Sequence, residues 1–158
     1  MDIKFKINQF EKFYHFLTKN SPEGYIPWFF PCDKEGKNPS PSAILKIDPS
    51  SRGSWHHVSA RLSKEQCIEH IKQGYNLGIS AREGDKLIIG DIDEPEYMNQ
   101  LPEDTLTSTS RKRCGGHFFG WDKDGSAKIN LPTEYGELRS NNQYVLSPGS
   151  YVPFNLEN

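Results

Sequence analysis

The chain has 158 residues, a formal net charge of −2 and a pI near 6.2. That length suits one compact domain, and the charge gives no global pull toward nucleic acid, so phosphate binding must rest on a local basic cluster or on bound cations. Aromatic residues at 12% and apolar residues at 34% exclude a disordered chain, and Cys32, Cys67 and Cys114, odd in number and without CxxC spacing, argue against a disulfide framework or a cysteine zinc site.

No signal-peptide pattern opens the sequence and no run approaches the roughly 18 apolar residues of a membrane span, so a cytoplasmic protein without a membrane partner is expected. Asn8 with Glu11 has capping-box spacing, and Phe10, Phe13 and Leu17 recur at helical intervals until Asn20, Ser21 and Pro22, which predicts a first helix. "YIPWFFPC" reads as a short aromatic strand, followed by a turn-rich loop from Asp33 to Ser42 and a strand from Ala43 to Ile47. "WHHVSARL" is a further strand candidate. Ser63 with Gln66 gives a second capping box, and Gly74 stops a helix over about Lys64 to Gln73. "YNLGISA" and "KLIIGDID" are strand-like and joined by "REGD", which predicts a hairpin. "EPEYMNQL" suits a short helix with Pro95 near its start. "TLTSTS", "HFFGW", "AKINL" and "QYVLS" are four more short strands, with a rigid turn at Pro148, Gly149 and Ser150. The sum is an α+β domain with a mixed or antiparallel sheet.

Three stretches carry residues suited to chemistry. In "LIIGDID", alternation puts Asp91 and Asp93 on one strand face and Ile88 and Ile92 on the other. Paired carboxylates repel and lose solvation, and a hard divalent cation such as Mg²⁺ or Mn²⁺ resolves this; a strand that ends at Gly90 with two solvated turn acids resolves it equally. In "STSRKRCGGH", Arg111, Lys112 and Arg113 form the densest positive cluster, beside Gly115, Gly116 and His117. Such a loop fits a triphosphate, through exposed backbone N–H groups and charge-assisted bonds, and it also fits a solvated hairpin tip. In "YGELRSNNQYVLSPGS", Glu137 and Arg139 share a face, either as a surface ion pair or, beside the Asp91 strand, as the source of a third carboxylate.

The order of these stretches, an acid pair after a hydrophobic strand, a histidine after glycines and then a single acid, resembles the archaeo-eukaryotic primase superfamily, most closely the bifunctional primase/polymerase (Prim-Pol) domain of plasmid, phage and archaeal replication proteins. "LIIGDID" is similar to that family's DxD motif, "GGH" to its small-x-His motif and "GELRSNNQYVLSPGS" to its third motif. "EGKNPSPS" with Trp55 downstream, and "GYNLGIS", are similar to its lead-in, so the resemblance spans nearly the whole chain.

The resemblance implies a primase/polymerase core in which a small α/β unit packs with an RRM-like sheet unit and the active site lies between them. It implies that Asp91, Asp93 and Glu137 hold two Mg²⁺ or Mn²⁺ ions, and that His117 contacts the phosphates of an incoming NTP or dNTP. Arg139 and the loop of Ser110, Arg111, Lys112, Arg113, Gly115 and Gly116 would neutralise the triphosphate. The implied reaction is DNA-directed nucleotidyl transfer on a single-stranded template and primer, with a helicase or helical template-binding domain as companion in a longer parent protein. Two other functions compete: a metal-dependent nuclease or phosphohydrolase using the same carboxylates, and a nucleic-acid-binding module without turnover.

Overall fold

A computed structural model describes residues 2–109, 115–122, 131–133 and 136–153. Helix α1 spans Ile3–Lys19, beginning earlier than the Asn8 spacing suggests because Asp2 Oδ1 accepts a hydrogen bond from Lys4 N at 3.1 Å and so satisfies an orphan donor of the first turn. Strand β1 is Trp28–Cys32. The expected strand at Ala43–Ile47 is instead helix α2, Pro41–Ile47. Ser40 Oγ accepts from Ala43 N at 3.3 Å and Pro41 occupies the first helical turn, and these two local signals decide a short apolar run that periodicity leaves ambiguous.

The expected strand in "WHHVSARL" is also absent, replaced by a 3-10 turn at Val58–Ala60 that follows another at Pro49–Ser51. Side-chain acceptors offer this backbone short turns in place of a ladder: Asp48 Oδ1 takes Ser50 N at 2.9 Å and His57 Nδ1 takes Ser59 N at 3.1 Å. Of the expected pairing, a single bridge from Leu62 to Phe29 is present. Helix α3, Lys64–Lys72, has the reciprocal capping box its sequence predicts, with Ser63 N donating to Gln66 Oε1 at 2.8 Å and Gln66 N donating to Ser63 Oγ at 3.2 Å. The remaining elements are β2 (Asn76–Ala81), β3 (Leu87–Ile92), α4 (Pro95–Met98), β4 (Leu106–Thr109), β5 (Gly116–Trp121), β6 (Leu131–Thr133), β7 (Gly136–Arg139) and β8 (Gln143–Leu146).

The chain is thus mixed α and β, with one sheet of order β1-β2-β8 and another of order β4-β5-β3-β7-β6. Every described pairing of the five-stranded sheet is antiparallel rather than mixed; β4–β5 and β6–β7 pair consecutive strands, whereas β3 pairs with β5 and β7 from farther along the chain. The hairpin expected across "REGD" does not form, because β2 and β3 belong to different sheets. The turn itself is present: Asp85 N donates to Arg82 O at 3.1 Å, and the Asp85 carboxylate accepts from Arg82 N and Leu87 N, each at 2.9 Å. Turn chemistry reverses the chain but does not choose the strand's partner, which is a non-local matter of burial. Among the described residues no helix is long and apolar enough to cross a membrane.

Two compact units divide these elements. The first comprises the chain up to Tyr14, Pro27–Ile79 and the chain from Leu146 onward. Its core contains Phe10, Phe13, Phe29, Phe30, Ile44, Ile71 and Leu77, all buried, with Phe10 meeting Phe29 edge-on at 5.3 Å between ring centroids, a favoured aromatic geometry. The buried Asn76 is fully hydrogen-bonded: its Nδ2 donates to Gly36 O and Tyr151 O at 2.7 and 3.0 Å, and its Oδ1 accepts from Tyr151 N at 2.9 Å. One side chain thereby ties the loop after β1 to the segment after β8.

The second unit, His15–Ile26 with Ser80–Val145, holds the five-stranded sheet. Its central strand β3 buries Leu87, Ile89 and Ile92. Gly90 is paired with Phe118 across the ladder, and a Cβ on Gly90 would fall inside the Phe118 ring. Gly90→Ala is therefore expected to destabilise this unit by about 1–3 kcal/mol through overpacking, read as a lower urea midpoint at unchanged slope.

Burial pushes the Asp85 carboxyl up to about 6, against the two backbone N–H bonds that favour its charged form. Between about pH 4 and pH 6 the folded chain holds a proton on Asp85 that the unfolded chain has lost, so this group's contribution to stability falls as pH rises through that window and is level above it. Urea titrations of wild type and Asp85→Asn should show a free-energy difference that changes across that window and is constant from about pH 7 to 8.

Candidate functional site

A transverse row crosses the five-stranded sheet. Asp91 on β3 lies directly opposite Glu137 on β7 and His117 on β5, while Ser108 on β4 lies opposite His117. Directly opposed residues of an antiparallel pair project to the same face, so Ser108, His117, Asp91 and Glu137 share one surface. Arg139, two residues beyond Glu137 on β7, projects to that face as well. Both alternatives the sequence offers for Glu137 are present: it lies across from Asp91 in the strand register and it pairs with Arg139.

Glycines make the register possible. A Cβ on Gly136 would overlap the carbonyl oxygen of Asp91, and φ at Gly136 is +151°, a backbone conformation suited to glycine. A Cβ on Gly115 would strike the carbonyl oxygen of Ile92, and one on Gly116 would lie 2.6 Å from Met98 Cε and 2.7 Å from Ser108 O. The glycines before His117 thus pack closely against β3, β4 and α4. Ser110, Arg111, Lys112 and Arg113 of that loop lie outside the described residues.

Arg139 organises the charges. Its Nε donates to Glu137 Oε1 at 2.7 Å, its Nη2 to Asp91 Oδ2 at 3.0 Å and its Nη1 to Tyr144 O at 2.8 Å. A planar fork with fixed donors suits this three-way contact in a way an ammonium does not. The side chains of Arg139, Asp91 and Glu137 are 24%, 26% and 43% exposed, so the pairs keep solvent contact and are weaker than buried ones. The repulsion anticipated between carboxylates on this face is answered here by a guanidinium.

His117 is buried, and its imidazole is held below its ordinary pKa, first by burial and then by Arg139, with Asp91 acting in the opposite sense. Its Nδ1 shares a hydrogen bond of 3.3 Å with Ser108 Oγ, and its Nε2 stands 3.6 Å from Asp91 Oδ1. Ser108 was not singled out from the sequence. Its alternation within "TLTSTS" was visible, but the β4–β5 register that puts it beside His117 was not.

Asp93 is placed differently from Asp91. Strand β3 ends at Ile92, and Asp93 is an exposed residue of the bend before α4, so strand alternation does not carry both aspartates to one face. Next to it the Glu94 carboxyl is raised, first by its hydrogen bond and repulsion with Glu96 and also by Asp93, which marks a locally acidic exit from the strand. Asp91 and Glu137 provide adjacent hard oxygen donors, a donor set that fits Mg²⁺ or Mn²⁺. Among the described residues, no three His, Cys, Asp or Glu side chains gather as a metal-holding group.

Arg139→Ala is expected to lower stability by about 1–2 kcal/mol at neutral pH, a value discounted for the solvent contact of all three side chains. Arg139→Lys should recover only part of it, because a single ammonium cannot span both carboxylates and the carbonyl. Chemical denaturation of the two variants beside wild type checks the order. Scans against protein-family models and against curated protein sequences return no match to this chain.

Proposed function

We propose that this chain is a nucleotidyltransferase, the core of a DNA primase/polymerase of the Prim-Pol type, with its five-stranded antiparallel sheet as the RRM-like unit. The observation that carries the reading is the row of His117, Asp91 and Glu137 on adjacent strands, which aligns residues from all three motifs on one face. Asp91 and Glu137, opposed across the β3–β7 ladder, would hold Mg²⁺ or Mn²⁺. Such cations, when bound, supply charge stabilisation for in-line displacement at phosphorus.

The chain's own residues have distinct parts in this reaction. A primer 3′-hydroxyl, or the hydroxyl of an initiating nucleotide, attacks the α-phosphorus of a dNTP or NTP; the new O–P bond forms as the bond to pyrophosphate breaks. His117, its pKa lowered by burial, offers an N–H to a phosphate oxygen. Arg139 offers a guanidinium to phosphate oxygens if a cation replaces it on the carboxylates. Ser108 positions the His117 ring through Nδ1. Single-stranded template and primer are the partners of this reading, and a helicase or template-binding domain in a longer protein would supply further grip.

A second reading, a nucleic-acid-binding module without turnover, is favoured by one observation, the engagement of both Asp91 and Glu137 by Arg139. Primer extension and unprimed synthesis with dNTPs or NTPs and Mn²⁺ or Mg²⁺ separate the readings. Metal-dependent incorporation is expected, with a loss of at least about a hundredfold in Asp91→Asn/Asp93→Asn and in Glu137→Gln. Cleavage without incorporation points to a nuclease. A folded wild type that takes up neither metal nor ATP establishes the binding module.

A further inference from the structure

The first unit carries an aromatic and basic surface that the proposed chemistry does not use. From Pro49 to Lys64 the sequence includes Arg52, Arg61 and Lys64, two histidines and Trp55, and no carboxylate. The 3-10 turns described above fold this stretch beside β1. Trp55 stacks on the buried Phe30 at 4.7 Å and 26°, and the exposed His56 ring lies 3.9 Å from Trp55 at 34°. Three rings therefore step outward from the core to solvent.

A second pair flanks this ladder. The Trp28 indole N–H donates to Trp55 O at 3.2 Å, fixing the two tryptophans to each other, and the Arg61 guanidinium lies 5.5 Å over the Trp28 ring. Trp28, Trp55 and Arg61 are each part-exposed, and Arg61 is paired with no carboxylate among the described residues. Val58, in the turn between Trp55 and Arg61, is 62% exposed. Flat rings anchored to a core, unneutralised guanidinium groups and an exposed apolar side chain match the two faces of an unpaired nucleotide, a stacking base and an anionic phosphate. A duplex hides its bases and would meet only the charges.

We propose that the surface formed by Trp28, Trp55, His56 and Arg61 binds single-stranded nucleic acid, with a base stacking on the outward ring of the ladder and a backbone phosphate taken by Arg61. Arg52, exposed at the end of the first 3-10 turn, is a further cation of the same stretch. This names the surface that would hold the template of the proposed polymerase and deepens that reading, but the binding itself needs neither nucleotide nor metal.

The test is anisotropy of a labelled twelve-nucleotide oligo(dT) in EDTA without nucleotide, over a salt series, for wild type, His56→Ala and Arg61→Gln. Both substitutions alter outer groups and leave the Trp55–Phe30 stack in place. Wild-type binding is expected to weaken about tenfold in His56→Ala, and Arg61→Gln is expected to reduce the log–log salt slope by about one. Wild-type affinity in both variants overturns the proposal, as does absence of wild-type binding at low salt. An equal loss with blunt duplex, or with an acidic peptide, overturns it in favour of a general anion surface. Because no incorporation is read, failure of nucleotidyl transfer leaves these outcomes intact, and loss of this surface leaves the Asp91 chemistry to be judged by primer extension.

Discussion

Two carboxylates side by side on a sheet must meet a compensating charge, and the arrangement of the second unit follows from how that demand is met. Asp91 and Glu137 are direct cross-strand neighbours, close enough for repulsion to disfavour the β3–β7 pairing. Arg139 answers with one donor to each carboxylate and a third to the backbone carbonyl of Tyr144. The guanidinium thus couples β7 to β3 and to β8 through its donors, and the ladder carries a charge cluster instead of breaking at it.

The same feature bears on chemistry. Arg139 neutralises the two carboxylates internally, so under the proposed function a divalent cation would have to displace or share with it. Such an exchange would link cation uptake to release of a group suited to phosphate. His117 occupies the other side of Asp91, its imidazole held below its ordinary pKa by burial. The row therefore runs from a buried imidazole through a carboxylate to a carboxylate held by a cationic fork.

What could be read from the sequence depended on how local the deciding interaction was. Helix α3 was legible because Ser63 and Gln66 satisfy each other three residues apart. Helix α2 is not legible from periodicity: "SAILKI" is apolar at either period, and only the Ser40 cap with Pro41 settles it. The turn at "REGD" was legible, but the partner of β2 was not, since pairing with β1 and β8 is decided by segments far away in the chain. At the site, alternation placed Glu137 and Arg139 on one face, and only the family resemblance implied that Asp91 and Glu137 come together; order and alternation did not. They did not anticipate Arg139 bridging the two, Asp93 falling beyond the strand, or Ser108 beside His117, each of which depends on register or on where a strand stops.

Gly90 and Phe118 have a consequence for alignment that reaches the opposite face. A ring lies over the backbone where only a glycine can receive it, so it can be seated at one offset of β5 against β3. A slip of one residue would bring it against Ile89 or Asp91, whose side chains leave no such space, and would carry the aspartate away from its histidine. The seating of Phe118 on one face thus acts as a gauge for the charged row on the other: an incorrectly aligned sheet is penalised sterically before its charges are ever compared.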